Sequence, residues 1–316
     1  MPRSIVLVRH AERVDYAEKA LGRNWMATAD EPWNTPITHL GKEQATALGQ
    51  AIRRHCEEAA IPLPTRALSS PMFRCVQTAR AALDGMANPL AIGVEPGLTE
   101  TMCENWYRSW GVPGADSTWG GHPGMQAGVE VPDDQMHPAA VAPSSGVLRA
   151  CVEELARHPE LRVDAEYEAV VPIDYPPFRS YRFGCHEPES GRGTAADGGL
   201  DARLGNVLAR ELAVDDDETV LLVSHGSPSA AFFRLALGGE SPRPGFTGKD
   251  EGGTKWNKGW PVCAYTGLYL LVPGVGGMCG LTARLAADTT HLAELASRGG
   301  GDGVVMAEQV RACDRE

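Results

Sequence analysis

Two histidines, three arginines and a glutamate-bearing segment hold the chemistry available to this chain. Arg9-His10 ends the apolar run Ile5-Val6-Leu7-Val8, and Ser224-His225-Gly226 ends a second run, Val220-Leu221-Leu222-Val223. A neutral imidazole can attack phosphorus and carry the phosphoryl group as a covalent intermediate. Guanidinium forks hold tetrahedral oxyanions in bidentate fashion. Arg9 and Arg13 flank His10 in Arg9-His10-Ala11-Glu12-Arg13-Val14-Asp15, and Arg74 lies in Ser69-Ser70-Pro71-Met72-Phe73-Arg74-Cys75. Val94-Glu95-Pro96-Gly97-Leu98-Thr99-Glu100 adds a carboxylate near each end. A nucleophile, an arginine clamp, a second histidine and a proton donor form a complete set for phosphoryl transfer.

The elements that must position these groups follow from pattern. The two apolar runs are rich in branched aliphatic residues and read as buried parallel strands. Each delivers a histidine to its carboxyl end, where ligands bind in open α/β sheets. The spacing predicts strands over 4–10, 66–70 and 91–95, with helices over 38–60, capped by Thr38, and 72–84. Residues 11–37 read as a polar loop. A helix is expected over 146–157, another over 200–213, then the strand before His225 and a helix after Pro228. Residues 239–260 read as a Gly/Lys/Trp loop, 265–272 as a late strand, and 282–297 and 304–314 as two closing helices. This strand–helix alternation predicts an α/β three-layer sandwich: a mostly parallel central sheet with helices on both faces. The Gly-, Pro- and Trp-rich stretch 101–200 interrupts the alternation.

Composition narrows the function. The chain has 316 residues, 43% of them hydrophobic, enough for the core of one large α/β domain with insertions or of two small ones. Its net charge of −12 argues against nucleic acid and anionic membrane as partners. No apolar stretch approaches membrane-spanning length, and Ile5 to Val8 is too short for a secretory h-region. The eight cysteines contain no CxxC pair and read as reduced thiols, so a cytoplasmic location is expected. Cys185-His186-Glu187 lacks further spaced ligands for a metal, and Ser224 lacks the Gly-x-Ser-x-Gly elbow of a serine hydrolase.

These segments resemble the histidine phosphatase (phosphoglycerate-mutase-like) superfamily. The resemblance rests on Arg9-His10-Ala11, Pro36-Ile37-Thr38 with Gly41 and Gln44-Ala45, Ser69-Ser70-Pro71 with Arg74 and Gln77-Thr78-Ala79, and Ser224-His225-Gly226. It runs from residue 4 to about 100 and resumes near 200. Within the superfamily the sequence is most similar to the phosphatase domain of the suppressor-of-T-cell-receptor-signalling (Sts) proteins, on Glu12-Arg13-Val14-Asp15, Arg74-Cys75-Val76-Gln77-Thr78-Ala79 and Val94 to Glu100. The family glycine after the nucleophile is Ala11 here. Glycine at such a position permits φ > 0 or a close backbone approach to phosphate.

The resemblance implies a single domain over 1–316 with a cap inserted at about 101–200. It also implies a metal-independent phosphomonoester hydrolase without a cofactor, working through a phosphohistidine on His10. Arg9, Arg13, Arg74 and His225 would bind the phosphate. Glu100, at the family's Leu-x-Glu position, would be the general acid, ahead of Glu95 and Glu12. The neighbouring arginines should keep His10 neutral by like charge, and its second ring nitrogen should donate to a backbone carbonyl. Two other functions remain open: a phosphoglycerate-type mutase, and a catalytically weak phosphate-binding or interaction module, for which Ala11 is the main support. The partner is a phosphomonoester, small molecule or phosphoprotein, and a homodimer is compatible with the family.

Overall fold

The computed structural model describes residues 3–100, 143–176, 178, 199–214, 217–249, 255–261, 263–274 and 279–297. A six-stranded sheet runs in the order β3-β2-β4-β1-β8-β9. Its members are β1 (Ser4–Arg9), β2 (Arg66–Ser69), β3 (Ile92–Val94), β4 (Thr219–Ser224), β8 (Leu268–Pro273) and β9 (Leu281–Asp288). The first four in that order are parallel, and β8 and β9 add antiparallel pairings at one side. The mostly parallel sheet matches the expectation.

Period-two alternation assigns the strand side chains to two cores. Val6 and Val8 pack with Leu48 and Ile52 of α2 (His39–Ala59) and Val76 and Leu83 of α3 (Phe73–Gly85). Ile5 and Leu7 pack on the other face. There they meet Leu204 and Val207 of α5 (Leu200–Leu212), Phe232 and Phe233 of α6 (Gly226–Ala236), and Val147, Leu148 and Cys151 of α4 (Ser144–Leu155). Helices therefore cover both faces, and the sheet is the middle of three layers. Thr38 caps α2 as expected, its hydroxyl accepting from Gly41 N at 2.8 Å.

At the amino ends of the strands a buried ion cluster ties the layers together. Arg3 donates to Glu211 of α5 at 2.9 Å, and Arg66 approaches the same carboxylate oxygen at 3.4 Å. Glu211 is fully buried.

Three local expectations are corrected. The 11–37 loop contains α1 (Val14–Ala20), a short helix without an apolar stripe to betray it, and a 3-10 turn at Trp25–Ala27. The 239–260 loop contains a small antiparallel sheet of β5 (Gly248–Lys249), β6 (Lys255–Asn257) and β7 (Trp260–Pro261), too short to leave a period. The helix expected over 282–297 is a strand up to Asp288; only α7 (Thr290–Ser297) is helical. Leu281, Ala283, Leu285 and Ala287 alternate with period two, but the alanines gave the segment a helical propensity that pairing with β8 overrode. The helix expected over 304–314 and most of 101–200 lie outside the described residues. Among the described residues no helix is long and apolar enough to cross a membrane.

Candidate active site

The register of the sheet builds the site. Arg9 of β1 pairs with Ser224 of β4, so His10 and His225 leave adjacent strands at the same level. Ser70 N donates to Val223 O and Glu95 N to Ser69 O, which bring the ends of β2 and β3 to the same edge. The two imidazole centroids stand 5.3 Å apart. Motifs more than 200 residues apart in the chain thus share one crevice at the carboxyl ends of parallel strands, as expected for an open α/β sheet.

His10 is buried, and its Nδ1 lies 2.8 Å from Ala11 O. A carbonyl oxygen can only accept, so Nδ1 carries the proton and Nε2 presents the lone pair. Burial, first, and then the charges of Arg74, Arg9 and Arg13 hold His10 well below the usual imidazole pKa. The arginine effect was legible in the sequence; the larger contribution of burial needed the fold. A neutral imidazole in this tautomer has the form a nucleophile requires.

His225 is held neutral by the same causes, burial first and Arg74 second. Arg74 Nη2 lies 3.1 Å from His225 Nδ1, and Ser70 Oγ lies 2.8 Å from Nε2. Guanidinium only donates, so Nδ1 accepts, and Nε2–H donates to Ser70. The Glu100 carboxylate stands 3.6 Å from the same Nδ1 and is almost fully buried. Arg74 is itself fully buried and also donates to Trp33 O at 3.1 Å.

The other arginines are fixed as well. Arg9 donates to Cys263 O at 2.8 Å and lies 4.8 Å from the centre of the Tyr265 ring. Arg13 forms a buried two-pronged pair with Asp15, at 2.9 and 2.6 Å. Asp15 thus occupies two of the donors that the sequence assigned to phosphate. The structure brings Arg9, His10, Arg13, Arg74, Glu100 and His225 to one place.

The rival carboxylates have other partners. Glu95 accepts from Gly97 N, Val170 N, Val171 N and the Tyr167 hydroxyl, all within 3.1 Å, and so organises the backbone. Glu12 accepts from Thr38 Oγ1 at 2.5 Å, and burial raises its pKa.

Several motif residues support the nucleophile's loop. Gln44 accepts from Glu12 N, Thr78 from Ala11 N and Gln77 from Ile37 N. A Cβ at Gly41 would lie 2.6 Å from Glu12 O, so only glycine lets α2 abut this loop. At Gly226 a Cβ would meet Arg9 Cζ at 3.3 Å, so the glycine after His225 leaves room for the arginine beside His10. Ala11 is not among the positive-φ residues, and its methyl packs with Ala45, Ala81 and Ile37 between α2 and α3.

Four contributors escaped sequence reasoning: Ser70 as a partner of His225, Tyr265 beside Arg9 and His10, the Trp33 carbonyl, and Arg203. Ser70 had a signal in its place within Ser69-Ser70-Pro71. Arg203 had none. Cys75 lies 3.4 Å from His225 Nε2, yet burial pushes its thiol up to about 12, so it is an inert packed group. Among the described residues no group of three or more His, Cys, Asp or Glu is arranged to hold a metal ion. A cavity of about 500 Å³ between α2 and α7, lined by His39, Glu43 and Glu294 among others, holds none of the motif residues.

A neutral histidine with a fixed tautomer therefore faces a second histidine in an arginine-rich crevice. Residues 5–110 match the histidine phosphatase superfamily (branch 1). An ecdysteroid-phosphate phosphatase of Drosophila melanogaster is 33% identical over 137 residues, covering 35% of this chain and 17% of the relative. One from Bombyx mori is 40% identical over 81 residues, covering 25% of this chain and 11% of the relative. The chain therefore matches less than a fifth of the length of either relative. A solved structure of the Bombyx ecdysone phosphate phosphatase in complex with tungstate has 17% identity and a TM-score of 0.49, covering 90% of this chain and 93% of that one.

Proposed function

We propose that the chain is a metal-independent phosphomonoester hydrolase that forms a phosphohistidine on His10. The observation that carries this reading is the Nδ1 contact of His10 to Ala11 O, which directs the Nε2 lone pair to phosphorus. In the first step Nε2–P forms, the ester P–O bond breaks, and Glu100 gives its proton to the departing oxygen. In the second, a water oxygen bonds to phosphorus, N–P breaks, and the water's proton returns to Glu100. Arg9, Arg13 and Arg74 stabilise the charge that spreads over the non-bridging oxygens. The first turn of α6, which begins directly after His225, adds the positive end of its dipole.

The finer likeness is to the Sts phosphatase domain, supported by Glu12-Arg13-Val14-Asp15 and the run around Arg74. The insect relatives are named for ecdysteroid phosphates. The chain matches less than a fifth of either relative, so the proposal is made for the phosphomonoester class. The reading as an inactive module loses its main support, because the Ala11 methyl packs between helices. We also read 1–316 as one domain, with 101–200 as its cap; α4 within that stretch and α5 at its end share one buried core with the central strands.

The test is hydrolysis of p-nitrophenyl phosphate by the wild type and His10→Ala in the presence of EDTA. Turnover that survives the chelator and disappears in the variant supports the reading. Turnover that persists in His10→Ala overturns it.

A further inference from the structure

The carboxylate proposed as the proton donor needs a fixed backbone, and that backbone has an unexpected anchor. Arg203 of α5 is fully buried. Its Nη1 donates to Gly97 O at 2.7 Å and to Thr99 O at 2.8 Å, and its Nη2 donates to Glu100 O at 3.0 Å. The plane of the guanidinium lets one side chain reach three carbonyls of the Gly97–Glu100 segment from one direction. Its Cζ also lies 5.8 Å from the centre of the buried Phe178 ring. A second contact holds the same segment from the sheet: Ser224 Oγ donates to Leu98 O at 2.6 Å, next to His225.

This anchoring goes beyond packing. A buried guanidinium is costly unless its donors are matched, and a hydrophobic residue would fill the same space between α5 and the 97–100 turn without that cost. What the arginine adds is a defined position for three carbonyls, and hence for the Cα of Glu100. Its place in the chain is informative too. Glu100 is the last residue before the long insertion, and Arg203 lies in the first turn of the helix that follows it. The contact ties the residue that precedes this stretch to the helix that follows it.

We propose that Arg203 is a positioning residue that holds Glu100 at proton-transfer distance from the leaving oxygen. This rests on Glu100 being the general acid. A displacement of about 1 Å in such a group can cost about 100-fold in rate, and general acid catalysis as a whole contributes about 100- to 10,000-fold. The effect must depend on the leaving group. Phenolate is a poor leaving group and needs the proton; 2,4-dinitrophenolate departs without it.

The test compares kcat/KM for phenyl phosphate and 2,4-dinitrophenyl phosphate in the full chain carrying Arg203→Ala, Arg203→Lys or Glu100→Gln. Arg203→Lys guards against a variant that fails to fold, since lysine keeps the charge but loses the fork. Added guanidinium ion serves as a rescue for Arg203→Ala. The expected result is that both Arg203 variants lose at least tenfold more on phenyl phosphate than on the dinitrophenyl ester, and that guanidinium restores part of it. Equal losses on both esters, or none, in the Arg203 variants while Glu100→Gln stays selective would overturn the role of Arg203 alone. A Glu100→Gln variant without leaving-group selectivity would overturn the general-acid assignment, and this inference with it.

Discussion

Arg74 Nη2 donates to His225 Nδ1 at 3.1 Å, while the same guanidinium donates to Trp33 O at 3.1 Å. One planar side chain therefore fixes both the tautomer of the second histidine and the edge of the loop that precedes α2. Lysine cannot make both contacts from a single ammonium. Arg74→Lys is expected to lower kcat/KM on p-nitrophenyl phosphate by about 100- to 1,000-fold, the scale of losing one preorganised oxyanion donor. Steady-state kinetics beside a far-ultraviolet spectrum checks this; retained activity would remove Arg74 from the phosphate clamp.

Stability should fall on acidification. His10, His225 and His291 all have folded pKa values below the ordinary imidazole value of 6.5, that of His291 at about 3. Between the folded and unfolded values the unfolded chain binds more protons, so unfolding becomes easier as pH drops below about 6.5. Each histidine contributes a slope of about 1.4 kcal/mol per pH unit within its window. Urea midpoints between pH 6.5 and 4.5 should fall steeply, and His291→Gln should make the slope shallower by about one proton. A flat profile would contradict the burial of these groups.

The same depression predicts the pH dependence of activity. His10 stays neutral and nucleophilic well below pH 6.5, so kcat/KM should show no acid limb from this group near 6.5. Arg74→Gln removes one of the like charges, so any acid limb should move upward in pH. A limb centred at 6.5 in the wild type would mean that His10 titrates as an exposed imidazole.

Ala11 departs from the family glycine without backbone strain, and its methyl lies among Ala45, Ala81 and Ile37. Ala11→Gly should therefore destabilise the fold by about 1 kcal/mol, through the lost methyl and the freer unfolded chain. Thermal unfolding measures it. A tenfold gain in turnover with no loss of stability would instead show that the methyl crowds the phosphate.

Glu211 joins Arg3 and Arg66 in a buried cluster at the strand ends opposite the histidines. Removing the acid takes a buried partner from Arg3, which keeps its contact with Glu218 at 3.3 Å, and costs about 1–3 kcal/mol. Glu211→Ala should show that loss in denaturant titration, and the residual folded fraction should keep the wild-type KM. A change in KM would indicate that the cluster reaches the site.

The sequence by itself determined the parts whose signal is local. The apolar runs before His10 and His225 set two parallel strands and their carboxyl ends, because buried strands are written as continuous aliphatic residues. The flanking motifs gave all six proposed site residues, because their chemistry depends on residue type and short spacing. Thr38 was readable as a cap because the capping bond spans three residues. Tertiary structure alone decided the rest. The Arg9–Ser224 register that sets His10 beside His225 is a pairing across more than 200 residues. Arg203 lies about 100 residues from the Glu100 segment and follows no motif. The strand at Leu281–Asp288 exists because β8 offers it an edge, against the helical preference of its alanines. Even the neutral state of His10 owes more to burial than to the arginines beside it, and burial is a property of the assembled fold.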